Sequence, residues 1–242
     1  SGTSGALYYK PAGTKSTFTA ANVTNGSNNI NVGTYLNFQV NDKVSFGTGT
    51  GGTLPGGLSA STDVFIRTYT ASTGIATFAA TSGGSELSLT SDGTDGTTPF
   101  TIDFAEFQSV GDCREWSFEV TREELDTTTI GGTLAQNAPF RTFITGFADG
   151  SGSATVYFTD DDTTIASRLI EDVIQRKQAG AVFKLYSDLV LSSGSPDDTS
   201  STSIEVPAVI NSASFAVTPD DAQVVEISFR PTEAPTFDFD RS

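Results

Sequence analysis

The triple aspartate Asp160–Asp162 is a group whose residue type and spacing could bind a metal ion. Carboxylate oxygens suit calcium, but a calcium loop also needs a central glycine and a distal glutamate. Neither falls at the required position here. The aspartates and Thr163 are therefore interpreted as the N-cap and the first-turn charges of a helix, and no metal site and no cofactor are expected.

The other reactive groups do not form a catalytic set. The chain contains no histidine, which removes Ser-His-Asp and Cys-His catalysis and nearly all zinc sites. Its one cysteine, Cys113, is interpreted as a small core thiol. The carboxylates are too scattered for the acid pair of a glycosidase, and Gly47–Gly57 lacks the Gly-Lys-Ser/Thr of a phosphate loop. The sequence therefore predicts a protein that is not an enzyme.

The net charge is −16, from 29 acidic and 13 basic residues. Attraction to phosphate needs clustered Lys and Arg, and no such cluster occurs. Two explanations remain open: the charge keeps the protein soluble, or it repels DNA from the wall of a passage.

Short β-like segments separated by Gly-rich turns predict a mainly β protein. No apolar run of about 18 residues occurs, so no insertion into a membrane is expected. The first residues lack the basic and apolar parts of a secretion signal, which favours folding in a cytoplasm.

The composition divides the 242 residues into three parts. Residues 1–15 are predicted to form an N-terminal arm and a first strand at Ala6–Tyr9. Residues 16–108 carry few charges and are predicted to form a separate small all-β domain. Its expected strands are Asn29–Val32, Lys43–Phe46, Asp63–Thr70, Gly74–Ala79, Leu87–Leu89 and Phe100–Phe104. Residues 109–242 form the third part.

In this third part, strict alternation predicts half-buried strands at Glu115–Thr121, Ser153–Thr159 and Val224–Arg230. Further strands are expected at Val182–Tyr186 and Ile204–Val217. Residues 122–150 have no strong periodicity and are predicted to form a long loop. The end of the chain, Pro231–Ser242, is predicted to wander over the surface.

One helix is predicted over residues 162–178. Apolar residues recur at helical spacing and make a single stripe, which predicts a core-facing side formed by Ile165, Leu169, Ile170, Val173 and Ile174. Gly180 suits its end.

Two segments of the third part resemble the major tail tube proteins of long-tailed bacteriophages. In Glu115–Thr128 a strand leads into Val120-Thr121 and then Leu125-Asp126-Thr127-Thr128. In Phe140–Ala154 the pattern Arg-x-Phe-Ile-x-Gly-Phe-x-Asp begins at Arg141. The likeness covers about residues 108–230 and the first strand.

Residues 22–104 resemble a β module that recurs in phage virion proteins. The segments that carry this likeness are Asp42–Phe46, Gly52–Leu58, Val64–Tyr69 and Leu87–Gly93. The module would be an insertion in the tube domain, placed outside the tube.

The resemblance implies two packed β-sheets, a tail-tube sandwich or barrel, with one flanking α-helix. Six copies would form a ring, and stacked rings would form the virion tail tube that conducts DNA without specific binding. Partners would be further copies, the tail terminator, the tail tip and a tape-measure protein, with assembly in the bacterial host cytoplasm. The expected lumen-lining residues are Glu115, Ser117, Glu119, Glu226 and Ser228. The expected assembly-loop residues are Arg122, Leu125, Asp126, Thr127, Thr128, Phe140, Arg141, Phe143 and Ile144.

A second interpretation is an Ig-like decoration or adhesin module of a virion or cell surface. Residues 16–108 alone fit it well, whereas the predicted helix and the segment after Thr121 fit it poorly.

Overall fold

A computed structural model describes residues 5–110, 112–126, 143–157, 168–169, 181–216 and 224–239. Within these residues the chain is mainly β. The strands are β1 Ala6–Lys10, β2 Ser16–Phe18, β3 Val23–Thr24, β4 Asn29–Asn31, β5 Lys43–Gly47, β6 Val64–Thr70, β7 Ile75–Ala79, β8 Phe100–Phe104, β9 Gln108–Ser109, β10 Asp112–Asp126, β11 Phe143–Tyr157, β12 Val182–Asp188, β13 Leu191–Ser192, β14 Ser195–Pro196, β15 Thr202–Ala216, β16 Val224–Pro231 and β17 Thr236–Asp238. Two short 3-10 helices span Ala20–Asn22 and Asn25–Ser27. In the described part of the chain, no helix has the length and apolarity needed to span a membrane.

Strand β15 belongs to two packed sheets and joins them. Residues 208–216 pair with β16, which continues to β11 and β10; these four strands are called the first sheet. Residues 202–207 pair with β12, which continues to β1 and β9, and β17 lies on the other side of β15; these strands are called the second sheet. The two sheets together form the body of the protein.

A single apolar core lies between these sheets. Alternate residues of each strand point inward, as a half-buried sheet requires. Phe183 of the second sheet stacks on Phe229 of the first, with ring centroids 4.4 Å apart. Both rings are fully buried, and each contributes about 2–3 kcal/mol through removal from water.

Residues 16–104 form a separate seven-stranded sheet, in the order β2-β8-β5-β6-β7-β4-β3. This sheet encloses its own core. Phe46 makes edge-on contacts with Phe18 at 5.9 Å and with Phe78 at 5.1 Å between ring centroids. We call this unit the insert, because it lies between two paired strands of the body, β1 and β9.

The strand predicted at Leu87–Leu89 is wrong, because these residues are not in a strand. Their polar backbone groups have other partners: the Leu87 N–H donates to the Phe78 carbonyl, and the Leu89 N–H donates to the Asn28 side chain. The side chains of Leu87 and Leu89 therefore pack against the insert core, although these residues do not form a strand.

Within the described residues, the predicted loop over residues 122–150 is replaced by strands at 122–126 and 143–150. β10 runs on to Asp126 and β11 begins at Phe143, and the two remain paired with a bulge between Arg122 and Glu124. Both faces of this extension are mostly exposed, so its sequence shows no apolar alternation.

The end of the chain is also more regular than predicted. Instead of wandering, residues Thr236–Asp238 pair with Ser203–Glu205 as an added strand.

Of the helix predicted over 162–178, the structure describes only Arg168 and Leu169, both in helical conformation. Leu169 is buried in the body core. The predicted core residues Ile165, Ile170, Val173 and Ile174 lie outside the described residues, as do Asp160–Asp162.

A buried ion pair joins the body to the insert. One Arg168 Nη atom lies 2.7 Å from both carboxylate oxygens of Asp42, and the Arg168 side chain has no solvent exposure. The Arg168 guanidinium also lies 5.7 Å from the centre of the Phe104 ring. Burial raises the pKa of Asp42 although the guanidinium opposes this shift, so the pair carries a desolvation cost.

We expect Arg168→Met to lower the free energy of unfolding by about 3 kcal/mol, because it leaves the buried Asp42 carboxylate unpaired. The double variant Asp42→Leu/Arg168→Met removes both charges and should recover most of that loss. Urea denaturation of the three proteins measures both effects. A double variant that is as unstable as Arg168→Met, or less stable, would contradict this coupling.

A second polar cluster fixes the segment after β12 to the second sheet. The Asp198 carboxylate accepts hydrogen bonds from Lys184 Nζ and from the Tyr186 hydroxyl, each at 2.7 Å. Partial burial raises the pKa of Asp198, but the hydrogen bonds from Lys184 and Tyr186 outweigh it and hold the pKa below its usual value.

We expect Asp198→Asn to lower the free energy of unfolding at pH 7 by about 1 kcal/mol, because this carboxylate is partly exposed. A lowered folded pKa stabilises the protein above the unfolded pKa of about 3.9 and loses this effect as the pH falls through the folded pKa. The variant and the parent should therefore converge as the pH falls below the unfolded pKa of about 3.9 and through the folded pKa. Glu233→Gln, at an exposed position, is the control that should match the parent throughout; a constant gap for Asp198→Asn would argue against the electrostatic origin.

Candidate functional site

The outward face of the first sheet is lined by small hydroxyl side chains. Ser117, Ser153, Ser228 and Ser212 occupy successive register positions across the four strands. The Ser117 and Ser153 hydroxyls lie 2.8 Å apart, and Ser212 is hydrogen-bonded to Ser228. A continuous hydroxyl row therefore crosses the whole sheet.

Carboxylates flank this row. The neighbouring register row contains Glu115, Thr155, Glu226 and Ser214, and Glu119 lies opposite Ser151. Arg230 is the basic side chain on the same strand face, and its guanidinium lies 4.0 Å from the Asp149 carboxylate. Both of these side chains are well exposed, so the pair is a weak surface contact.

The structure brings the five predicted lumen residues together on this face. Glu115, Ser117, Glu119 and Glu226 are exposed, and Ser228 is half-buried. Their role as a channel wall stays a prediction. Ser153 and Ser212 were missed, although the alternation in Ser151–Thr155 and in Ser212–Ser214 was a signal that could have found them.

The opposite face of the first sheet is held against the core. Trp116 and Phe118 of this face pack against the core of the body. The Trp116 indole N–H donates to the Tyr186 carbonyl at 3.2 Å. Gly152 faces the Phe229 ring so closely that an added Cβ would lie 2.2 Å from it. Any side chain at position 152 would thus displace the Phe229 ring, which stacks on Phe183. Because this face of the first sheet packs against the core, the polar face points outward.

Both lateral edges of the first sheet are open. In the described part of the chain, no strand pairs with the outer side of β10. On the side of β15 away from β16, β12 pairs only as far as Pro207, so residues 209–216 have no strand beside them there among the residues described. Open edges present N–H and C=O groups that can pair with another chain.

The β10–β11 hairpin extends beyond the core and exposes apolar side chains. Leu125 lies opposite Ile144, and Asp126 lies opposite Phe143. The exposed fractions are 44% for Leu125, 51% for Phe143, 55% for Ile144 and 89% for Phe147. Of the other predicted assembly residues, Arg122 is exposed on the hairpin, whereas Thr127, Thr128, Phe140 and Arg141 lie outside the described residues.

A shallow groove lies at the base of this hairpin. It has a volume of about 350 Å³ and is lined by residues 120 and 148–150 of the hairpin, by Pro231 at the end of β16 and by residues 232–235 of the β16–β17 connection. The lining is largely apolar, so hairpin and groove together give the first sheet an apolar end beside its polar face.

The site contains no arrangement for metal chemistry within the residues that the structure describes, since no group of three or more Asp, Glu or Cys side chains converges there. Cys113 is half-buried, and burial raises the pKa of its thiol. The thiolate form is thereby disfavoured at neutral pH, so this thiol is a poor nucleophile.

No family model and no curated protein sequence matches the chain. Among solved structures, a chain in the virion of a native gene transfer agent particle is 16% identical, with a TM-score of 0.40, covering 54% of this chain and 88% of that one. A chain in the tail of an empty gene transfer agent particle, refined with C6 symmetry, is 18% identical, with a TM-score of 0.40 and coverages of 55% and 87%. A chain in the baseplate of the anti-feeding prophage is 11% identical, with a TM-score of 0.34 and coverages of 59% and 85%.

The exposed hairpin side chains should contribute little to the stability of a single copy. We expect Phe147→Ser to change the free energy of unfolding by less than about 0.5 kcal/mol, because the ring is already in water. The matched control Phe229→Ala removes a buried ring and should cost about 3–4 kcal/mol. Thermal or urea unfolding compares the two. A large loss for Phe147→Ser would show that the ring packs within its own chain.

Proposed function

We propose that this chain is a structural virion protein, the major tail tube subunit of a long-tailed phage. Six copies close into a ring, and rings stack into the tube that conducts DNA to the host cell. The observation that carries this proposal is the first sheet: both of its lateral edges are open among the described residues, and its outward face is small, polar and acidic.

Ring closure explains the open edges. The outer side of β10 in one copy pairs with residues 209–216 of β15 in the next copy, so backbone groups that face water in one copy become bonded. Rotational closure then removes every edge of the joined sheets, as in a barrel. The predicted flanking helix over residues 162–178, of which Arg168 and Leu169 are described, remains part of this proposal.

The polar face then becomes the wall of the channel. Small hydroxyl side chains keep the passage wide, and Glu115, Glu119 and Glu226 repel phosphate. With a net charge of −16 and few basic groups on this face, the wall does not hold DNA by counterion release. DNA passes without specific binding, and no catalytic step or cofactor is involved.

The hairpin supplies the contact between rings. Leu125, Phe143, Ile144 and Phe147 gain free energy only when another surface covers them. In the tube, a subunit of the adjacent ring covers these side chains. At the ends of the tube, a tail terminator and a tail tip protein take the place of the missing ring, and a tape-measure protein occupies the lumen during assembly in the host cytoplasm.

The topology supports an exterior position for the insert. Its two connections leave the body at β1 and β9, which are neighbours in the second sheet. The polar face belongs to the first sheet, on the far side of the core. A lumen on that side leaves the insert outside the tube.

A decoration or adhesin module of a virion or cell surface is the second candidate. The separate sheet and core of residues 16–104 favour it. Such a protein would remain a monomer or small oligomer with its first-sheet edges in solvent, so the assembly state distinguishes the two functions.

Electron microscopy and native mass spectrometry of the purified protein test the proposal. We expect six-copy rings and stacked tubes at high concentration. Uniform monomers under the same conditions would overturn tube formation and favour the adhesin candidate.

Proline substitution at two successive positions tests the edge itself. Ala213 and Ser214 are adjacent in β15, and successive N–H groups of a strand point to opposite sides. Of Ala213→Pro and Ser214→Pro, one removes a hydrogen bond to β16 and should lower the melting temperature. The other removes an N–H of the open edge, so it should keep the melting temperature and abolish rings. Tubes formed by the variant that keeps its melting temperature would exclude pairing at this edge.

A further inference from the structure

A cleft lies where the insert meets the body, away from the first sheet. It has a volume of about 620 Å³ and is lined by residues 39–42 of the insert, residues 106–109 of the connection to β9, Tyr8 of β1 and residues 194–196 at the turn between β13 and β14. Four chain segments thus converge on it, and junctions between structural units are common positions for ligand sites.

The charged groups of the cleft are already neutralised. Asp42 is bound by Arg168 at 2.7 Å, and Glu106 is bound by Lys43. No other charged side chain lines the cleft, so the lining offers neither a free cation for phosphate nor an unpaired carboxylate for an amine. A cleft whose charged side chains are all paired favours a ligand that carries no net charge.

Three polar side chains of the cleft have no hydrogen-bond partner among the residues that the structure describes. No hydrogen bond within the described part of the chain engages the side-chain amides of Gln39 and Gln108 or the hydroxyl of Tyr8. An amide offers two donors and an acceptor, and a phenol offers one of each. Hydroxyl groups of a ligand both donate and accept hydrogen bonds, so they can pair with the amides and with the phenol.

Aromatic rings accompany these groups. Tyr8 and Phe107 both line the cleft, and Lys184 Nζ lies 5.4 Å from the centre of the Phe107 ring. Rings beside amides can bind a molecule that carries apolar C–H surface as well as hydroxyls.

We propose that this cleft binds a neutral saccharide. Gln39, Gln108 and the Tyr8 hydroxyl bind its hydroxyl groups, and the rings of Tyr8 and Phe107 contact its C–H surface. The site is independent of tube assembly, because neither the polar face nor the open edges of the first sheet contribute to it.

Ligand-observed NMR with the full chain tests the proposal. The probes are three neutral trisaccharides, maltotriose, cellotriose and triacetylchitotriose, each at about 10 mM, with trigalacturonate and triglucosamine as charged counterparts. We expect at least one neutral probe to bind with a Kd on the order of 1 mM, and the charged probes to bind at least tenfold more weakly.

The double variant Gln39→Ala/Gln108→Ala should weaken that binding at least tenfold while its melting temperature stays within about 2 °C of the parent. Ser72→Ala, in the exposed turn between β6 and β7, is the matched control and should bind like the parent. The proposal is overturned if no neutral probe binds, if a charged probe binds more tightly, or if the double variant binds like the parent. If the double variant unfolds, Tyr8→Phe replaces it under the same criteria.

Discussion

The polar backbone of the first sheet is the constraint on which the proposed function depends. Its inner strands, β11 and β16, have partners on both sides, whereas β10 and residues 209–216 of β15 have a partner on one side among the described residues. In a single copy, water can form hydrogen bonds with the unpaired N–H and C=O groups of these two edges. In the proposed ring, a second copy would bond these groups, and the contact would be head-to-tail because the two edges differ.

Two outcomes are possible for a head-to-tail contact: a closed ring or an open filament. Rigidity of the subunit decides between them, since closure needs the same angle at every contact. The body is stiffened by β15, which hydrogen-bonds in both sheets, and by the Phe183–Phe229 stack between them. Gly152 permits that stack. The core therefore sets the angle between the two open edges, and with it the angle between neighbouring copies. It also determines which face of the first sheet is polar.

The parts of this fold that follow from sequence are those where one face is buried. Trp116 and Phe118 alternate with Glu115, Ser117 and Glu119, and the structure has the former against the core and the latter in solvent. The same holds for Val225, Ile227 and Phe229. The five residues predicted to line a lumen come from the polar side of these alternations, and their role as a channel wall stays a prediction.

Prediction failed where burial does not distinguish the two faces of a segment. The hairpin extension is exposed on both sides, so its strands look like a loop. Leu87–Leu89 shows the converse, because the two leucine side chains pack against the insert core while the backbone hydrogen bonds leave the ladder. Thr236–Asp238 is too short for a periodic signal, and its pairing depends on where β16 ends. The cleft brings together four segments distant in sequence, so no local pattern could reveal it.

The junction between insert and body shows how about ninety residues can be added without altering the body. β1 and β9 are paired with each other, so the two connections to the insert leave side by side and the body sheets stay continuous. Two connections alone would permit hinge motion. Lys10 binds Asp103 at 2.9 Å and Arg168 binds Asp42, and both ion pairs join the body to the insert and oppose such motion. The walls of the cleft come from both sides of that junction, so the same ion pairs that orient the insert also fix the shape of the proposed saccharide site.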